Sequence, residues 1–240
     1  MTRVDNEIAH GKKLASKGAE EIWNWTGPAG QKRADRRANY FIELARVQPG
    51  NKVLEIGCGT GLFTRKFFEA TQAHITATDI SEDLLREAKR MLPQVNFKKD
   101  DAMKLSFADN AFDVVFGSSV LHHLDFKPAL AEIFRVMKPG GRMIFAEPNM
   151  LNPQIFIQKN IPFVKKWLGD SPDETAIVRW SFYKRMKAES FVNIKVFPYD
   201  FLHPATPEFL IPLVSRLGTV LEKIPVLNEI AGSVIIYGEK

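Results

Sequence analysis

Glycines recur at every second position in one short stretch of the chain, at Gly57, Gly59 and Gly61, directly after the apolar run VLEI. Glycine turns sharply and carries no side chain, so this spacing is typical of a loop that lets the backbone approach a ligand closely. The acidic residue Glu55 comes just before the loop, and Asp79 follows 22 residues after Gly57. A carboxylate roughly 20 residues beyond such a loop can accept hydrogen bonds from a ribose diol. The pattern predicts a site for a nucleotide or nucleoside.

The charge of the predicted ligand separates two alternatives. The dinucleotide fingerprint needs a third glycine at position 62, where this chain has Leu62. A carboxylate at Glu55 would also repel a phosphate group, which disfavours a dinucleotide-dependent reductase. An adenosine ligand with cationic groups suits the glutamate better. S-adenosylmethionine, with its sulfonium and ammonium, is such a ligand.

Short apolar segments alternate with amphipathic ones along residues 52–147. We expect strands at 52–56, 74–80, 95–100 and 112–118, and a fifth that opens with RMIFAE at 142–147. Ser81 should cap the helix after the second strand, and Met137 should face inward from the helix that residues 138–141 break. Alternation of this kind predicts βαβ units and a parallel sheet, which binds its ligands at the carboxyl ends of the strands.

Length and composition set the frame for this prediction. A chain of 240 residues with 45% apolar content fits one sizeable domain. It has no run of 18 apolar residues and no apolar segment of the signal-peptide type near its start. Its only cysteine, Cys58, cannot form an internal disulfide. We therefore expect a reducing, cytoplasmic compartment.

The net charge of +5 is distributed unevenly along the chain. Basic residues exceed acidic ones in residues 1–50 and 151–240, whereas residues 51–150 are balanced. The stretch QKRADRR at 31–37 could face an anionic partner or a membrane surface, or could be an ordinary solvated helix face. The modest surplus favours the solvated face.

Several ordered motifs resemble the class I S-adenosylmethionine-dependent methyltransferases, in particular the ubiquinone/menaquinone-type small-molecule subgroup. They are VLEIGCGTG, ATDIS, DDAMKLSFADNAFDVVF, LHHL and MKPGGRMIFAEPN, which together span about residues 50–150. The resemblance implies an α/β fold of the Rossmann-like, three-layer kind. Its seven-stranded sheet would be mostly parallel, with an antiparallel last strand at 233–239 and the segment 193–201 as that strand's hairpin partner.

The resemblance also implies cofactor-binding roles at positions of this chain. Gly57, Gly59 and Gly61 would pass under the methionine part of S-adenosylmethionine, and Glu55 would steady the loop or face the ammonium. Asp79 would hold the ribose hydroxyls. The remaining roles lie around the adenine and at the methionine end. Ile80 would pack on the ring, Asp101 (with Asp100 as its rival) would accept from the adenine amino group, the backbone N–H of Ala102 would face the ring, and Ser118 would offer its backbone to the methionine.

Two adjacent histidines, His122 and His123, follow Ser118 closely. Methyl transfer needs a general base only for an acidic acceptor group, and a histidine titrates near neutrality. Adjacent residues on a helix do not share a face, so we expect at most one of them to point into the site. Alternatively, one histidine packs and the other caps a turn or is solvated. No cysteine or acid joins them at ligand spacing, so the sequence predicts no metal site.

The segments outside the motifs should determine which acceptor is methylated. We divide the domain into an N-terminal helical flap (1–50), a cofactor-binding core (51–150), and lid insertions with the last two strands (151–240). Residues 151–178 and 203–230 are rich in apolar residues with scattered lysines, and they could either form lids or extend the core. Trp23 and Trp25 could form a further flap or staple the first helix.

An apolar lid with a basic margin favours a small-molecule or lipid-like acceptor and allows peripheral membrane contact. A noncatalytic S-adenosylmethionine-binding module is an alternative, because it would carry the same binding residues. An RNA methyltransferase is a second alternative, but aromatic residues are not interleaved with the basic clusters, which argues against nucleic acid.

Overall fold

The computed structural model describes residues 3–168, 170–171 and 174–240, and a seven-stranded sheet forms its centre. The strands are β1 Lys52–Ile56, β2 His74–Asp79, β3 Asn96–Lys99, β4 Phe112–Ser118, β5 Met137–Pro148, β6 Val192–Tyr199 and β7 Ser233–Glu239. They lie in the order β3-β2-β1-β4-β5-β7-β6. The pairs from β3 across to β5 are parallel, and β7 runs antiparallel to both β5 and β6. The predicted mostly parallel sheet with an antiparallel last strand is confirmed.

Helices cover both faces of the sheet, which makes the three layers. The helices are α1 Arg3–Ala15, α2 Ala19–Ile22, α3 Pro28–Ala45, α4 Leu62–Thr71, α5 Glu82–Met91, α6 Phe126–Val136, α7 Pro153–Asn160, α8 Pro162–Leu168, α9 Arg179–Ala188 and α10 Ile211–Leu221. One apolar core lies between the sheet and α3, α4 and α5, and the other between the sheet and α6 and α9. Neighbouring strand residues feed opposite cores, since Phe116 packs in the first and Val115 in the second.

The sequence-based boundaries differ from the structure in two places. Met137 is buried as predicted, but it begins β5 rather than ending α6, and the pairing of β4 with β5 shifts register between Phe112 and Val114. The turn at Gly140, with a φ of 74°, is taken up as an irregularity of the strand. β6 and β7 pair as predicted, but the chain between them includes α10, so they do not form a simple hairpin.

Strand register aligns the ends of β1, β2 and β4 at one edge of the sheet. Ile56 lies beside Thr78, and Glu55 lies beside Phe116. The residues that follow each strand therefore meet at that edge, as expected for a parallel sheet. Among the helices of the described residues, each is too short or too polar to cross a lipid bilayer.

Candidate active site at the strand ends

The glycine turn after β1 uses conformations that L side chains rarely adopt. Gly57, Gly59 and Gly61 have φ values of 68°, 53° and 85°. A Cβ atom on Gly57 would lie 2.4 Å from a methyl carbon of Val120, and one on Gly59 would lie 2.9 Å from the ring of Trp23. The turn therefore needs glycine both for its backbone and for the groups that pack against it. Trp23 packs against this turn.

Glu55 is buried beneath the turn and contacts α4. Its carboxyl accepts a hydrogen bond from the hydroxyl of Thr64, and the side chain is not part of the cavity wall. Burial, with a smaller effect of Asp79, raises the pKa of Glu55 to about 8. The negative charge that the sequence argument set against phosphate is therefore largely absent at neutral pH. Of its two predicted roles, this geometry suits steadying the loop.

Asp79 ties the ends of two strands together. Its Oδ2 accepts from the backbone N–H of Gly59 at 2.9 Å, and its Oδ1 accepts from that of Ser81 at 2.8 Å. Burial raises the pKa of the carboxyl, while these backbone donors oppose the rise. The side chain also lines the cavity, beside Ile80. As predicted, the Ser81 hydroxyl caps α5 by accepting from the N–H of Leu84.

The two aspartates after β3 differ in how much of each carboxylate the protein uses. Asp100 accepts with both oxygens from Ser106, with Oδ1 and Oδ2 from the backbone N–H and with Oδ2 from the hydroxyl. Asp101 accepts with Oδ1 from the backbone N–H of Met103 at 2.8 Å. Both aspartates and Ala102 line the cavity. Asp101 thus keeps more acceptor capacity toward the cavity than its rival.

A single cavity of about 810 Å³ joins these strand ends. Its far walls come from outside the sheet: from α1 through Glu7 and His10, from the lid helices through Ile155 and Leu168, and from the loop after β6. A cavity of this size accommodates a cofactor and part of an acceptor.

A buried arginine that the sequence reasoning missed lies at one end of the cavity. The guanidinium of Arg37 donates to the hydroxyls of Ser118, Ser119, Tyr199 and Ser233 at 2.9–3.1 Å. Among the described residues, its recorded hydrogen bonds are to these neutral hydroxyls, and the side chain is buried. Among the described parts of the chain, this positive charge beside the cavity has no carboxylate in ion-pair contact, and it therefore favours an anionic ligand group.

The interpretation of residues 31–37 as a solvated face is therefore wrong for the arginines. Arg33 pairs with Asp200 at 2.8 Å, Arg36 pairs with Glu222, and Arg37 is buried. A pattern in the sequence could have shown this, because Ala34, Ala38, Phe41 and Ala45 are small or apolar at three- and four-residue spacing. Arg37 lies within that stripe.

The two histidines are both held by carboxylates. His122 Nδ1 lies 2.6 Å from Glu147 Oε2, and His122 Nε2 lies 3.4 Å from Glu174 Oε1. His123 Nδ1 lies 3.0 Å from Glu7 Oε2. Although burial opposes it, the contacts with Glu147 and Glu174 raise the pKa of His122 to about 9. A protonated imidazole cannot accept a proton, so His122 does not suit the role of general base.

Two expectations about this pair are corrected. Residues 121–123 form a 3₁₀ turn, which brings the rings of His122 and His123 to a centroid distance of 4.2 Å, so that both line the cavity. Acids do join them, because Glu7 comes from α1 and Glu174 from the lid segment. The sequence hid these contacts because they connect residues far apart in the chain.

The apolar residues of the first lid divide into two sets. Phe156, Phe163 and Trp167 are 55%, 76% and 75% exposed, and none of them lines the cavity. These three side chains therefore lie outside the core and outside this cavity. Ile155 and Leu168 are apolar lid residues that do line the cavity.

Comparison with known proteins agrees with this geometry. The family described as methyltransferase domain matches residues 54–145, from β1 through most of β5. Demethylmenaquinone methyltransferase of Renibacterium salmoninarum is 39% identical over 119 residues, which are 49% of this chain and 49% of that protein. Sterol 24-C-methyltransferase of Gibberella zeae is 34% identical over 113 residues, 44% of this chain and 30% of that protein. The chain thus spans about half the length of these curated relatives or less.

A solved structure extends the likeness to the rest of the fold. The S-adenosylmethionine-dependent methyltransferase of Archaeoglobus fulgidus superposes with a TM-score of 0.62 at 20% identity, over 87% of this chain and 94% of that chain. Identity at that level shows a common fold. The sequence match shows a methyltransferase domain over residues 54–145, in a segment that is similar to quinone and sterol methyltransferases.

Proposed function

We propose that the protein transfers the methyl group of S-adenosylmethionine to a small-molecule, lipid-like acceptor by in-line displacement. The observation that carries the proposal is the single cavity in which Asp79, Asp101 and Arg37 meet. These residues supply two acidic groups and one unpaired cationic group, which suit a ribose, an adenine amino group and a carboxylate, respectively.

The proposed orientation of the cofactor follows from these charges. Asp79 holds the ribose hydroxyls, and Ile80 and Ala102 flank the adenine, with Asp101 at its amino group. The methionine end lies over the glycine turn toward Ser118, where Arg37 receives the carboxylate. Arg37 is already held by four hydroxyls, so little side-chain entropy is lost when the ligand binds.

The chemistry asks mainly for positioning and exclusion of water. A sulfonium is an excellent leaving group, so the barrier depends on the approach of the acceptor atom. The N-terminal helix α1 and the lid enclose the side of the cavity opposite the sheet, and Ser171 Oγ donates to Glu7 Oε1 at 2.7 Å between them. Because His122 contacts Glu147 and Glu174, we assign it to holding this enclosure rather than to accepting a proton from the acceptor.

The lipid-like character of the acceptor is supported by the outer face of the lid. Phe163 and Trp167 of α8 are exposed beside Lys166, and α10 exposes Leu213 and Leu217 on one face. Large exposed apolar side chains with basic neighbours are typical of a surface that rests on anionic lipid. We propose that these exposed side chains of α8 and α10 contact a cytoplasmic membrane surface from which the acceptor enters. The names of the quinone and sterol methyltransferase relatives agree with such an acceptor class.

Nucleic acid is a poorer candidate. The most basic stretch, residues 31–37, has its arginines in ion pairs or buried, which leaves few charges for phosphate contacts. A noncatalytic binding module remains an outcome of the test below.

Calorimetric titration of the full chain with S-adenosylmethionine, S-adenosylhomocysteine and NAD tests cofactor choice. We expect the first two to bind and NAD to give no heat. A lipid extract incubated with methyl-labelled cofactor then reports transfer, and mass spectrometry identifies the product. Binding of NAD alone would overturn the proposal, and cofactor binding without transfer to any extract would indicate a noncatalytic module.

A further inference from the structure

The two histidines and Glu174 bring three metal-ligating groups to one wall of the cavity. One ligand atom from each of His122, His123 and Glu174 lies within 4.8 Å of the others. His122 and Glu174 are buried, and His123 is half-buried. Two imidazoles and a carboxylate are the donor set that Zn²⁺ and related divalent ions use in catalytic sites.

The separation of His122 from Glu174 suits ligands of one ion. Their atoms, Nε2 and Oε1, are 3.4 Å apart, which is long for a hydrogen bond to a carboxylate. Ligand atoms about 2.1 Å from a tetrahedral zinc ion are roughly 3.4 Å from each other. All the atoms of the cluster lie within 4.8 Å of one another, so its widest pair needs to close by up to about 1.4 Å to meet the same geometry.

Glu147 supplies the outer support that such a site needs. Its Oε2 lies 2.6 Å from His122 Nδ1, and its Oε1 accepts from the backbone N–H groups of Val120 and Leu121. The carboxylate is fully buried and therefore fixed. A carboxylate on one nitrogen of a histidine orients the ring, and the other nitrogen binds metal once it has lost its proton. Metal binding to His122 would therefore release the proton on Nε2.

His123 gives an independent indication. Its Nδ1 is buried and has no hydrogen bond of acceptable geometry among the described residues, although Glu7 Oε2 lies 3.0 Å away. Buried polar nitrogens are almost always partnered in folded proteins. A cation bound to His123 Nδ1 would give this nitrogen a partner of better geometry than Glu7 provides.

Lys159 is a cation that competes with a metal ion for Glu174. Lys159 Nζ contacts Glu174 Oε1, and it also lies 2.8 Å from Asp170 Oδ2. Because it has this second carboxylate, Lys159 can stay paired when Glu174 turns to a metal ion. The other oxygen of Glu174 accepts from the backbone N–H of Ser171 at 2.9 Å, which keeps the side chain at the cluster.

We propose that His122 Nε2, His123 Nδ1 and Glu174 form a binding site for a divalent transition-metal ion of the zinc type. All three ligands belong to residues that line the cavity, so a fourth position is open toward it. If the proposed methyl transfer is correct, an oxygen of the acceptor would occupy that position, since a bound cation lowers the pKa of a hydroxyl. The binding site itself does not depend on that function.

The test uses the full chain, treated with a chelator and then titrated with Co²⁺, a zinc substitute with visible absorption. We expect one equivalent to bind and to produce the intense band of a four-coordinate ion. His123→Ala and Glu174→Gln should weaken binding by about 10- to 100-fold or more, as loss of a ligand or its support does. His74→Ala, which removes an exposed histidine at the start of β2, should bind Co²⁺ as the unaltered protein does.

Melting temperature and S-adenosylhomocysteine affinity, measured on each variant, confirm that the fold is intact. Absence of stoichiometric Co²⁺ binding would overturn the metal site, and so would equal binding by the unaltered protein and both ligand variants. Either result with intact S-adenosylhomocysteine binding would leave the proposed cofactor chemistry standing. Conversely, Co²⁺ binding without S-adenosylhomocysteine binding would refute the proposed cofactor chemistry and leave the metal site standing.

Discussion

Asp79 Oδ2 accepts a hydrogen bond from the backbone N–H of Gly59 at 2.9 Å, so the residue expected to hold the ribose also fixes the glycine turn. Asp79→Ala should therefore weaken S-adenosylhomocysteine binding by about 1.5–3 kcal/mol, through lost ribose contacts and a looser turn. Calorimetry measures the change. Asp83→Ala is the control. Asp83 lies on α5, and its ion-pair partner among the described residues is Arg86, so this variant should leave the affinity for S-adenosylhomocysteine unchanged. Equal affinities for Asp79→Ala and the unaltered protein would place the diol elsewhere.

Arg37 is expected to bind the carboxylate of the cofactor and not its adenosine part. Arg37→Gln should weaken S-adenosylhomocysteine binding by about 10- to 100-fold, because a charged hydrogen-bond partner of the carboxylate is lost. Adenosine has no carboxylate, so its affinity should change little. Calorimetric titration of both ligands into both proteins gives the comparison. An equal loss for adenosine would mean that the substitution disturbs the pocket rather than the carboxylate contact.

The buried Glu55 predicts a specific dependence of stability on pH. Its pKa of about 8 in the folded protein lies above the value near 4.5 of an exposed glutamate. The folded state therefore binds the proton more tightly, and stability is highest below about pH 4.5 and falls as pH rises through 8. Glu55→Gln removes this titration. Its stability relative to the unaltered protein should rise by on the order of 2–5 kcal/mol between pH 5 and pH 8.

Urea unfolding at several pH values measures the difference. Gln can still accept from Thr64, so the variant keeps the buried hydrogen bond. If the two proteins lose stability in parallel across this range, Glu55 is ionised in the folded state, contrary to its buried environment.

The exposed aromatic residues of the lid should affect membrane binding and not stability. Phe163→Ser and Trp167→Ser remove side chains that are at least three-quarters exposed, so no core cavity forms and the melting temperature should stay the same. Binding to vesicles that contain anionic lipid should fall. Sedimentation with the vesicles measures it, and Val192→Ser on β6, also exposed, is the control. A marked fall in melting temperature for both lid variants would mean that these side chains are buried in solution.

The features that could be predicted from the sequence are those that depend on residues close together in the chain. The strand spans 52–56 and 112–118 follow directly from apolar runs, and Ser81 was recognisable as a cap from the acidic residues after it. The residues that meet at the strand ends could also be predicted, because a parallel sheet brings those ends together. The roles assigned to them in cofactor binding stay predictions.

What could not be predicted is the set of contacts between distant segments. Glu7 lies more than 100 residues before the histidines in the chain and Glu174 about 50 residues after them, and no local pattern marks either residue. Nor does composition show that Trp167 points outward while Leu168, its neighbour, lines the cavity. These outcomes depend on the packing of irregular segments, whose side-chain directions have no fixed period.

The hydrogen bond between Ser171 and Glu7 joins the lid to the N-terminal helix, and both elements line the same cavity. We expect a cofactor bound there to exchange when the two elements separate. The replacement of S-adenosylhomocysteine by S-adenosylmethionine would then have a separate rate, which depends on breaking the Ser171–Glu7 hydrogen bond rather than on the sulfonium. Turnover would be governed at this junction by opening and closing, independently of how fast the methyl group moves.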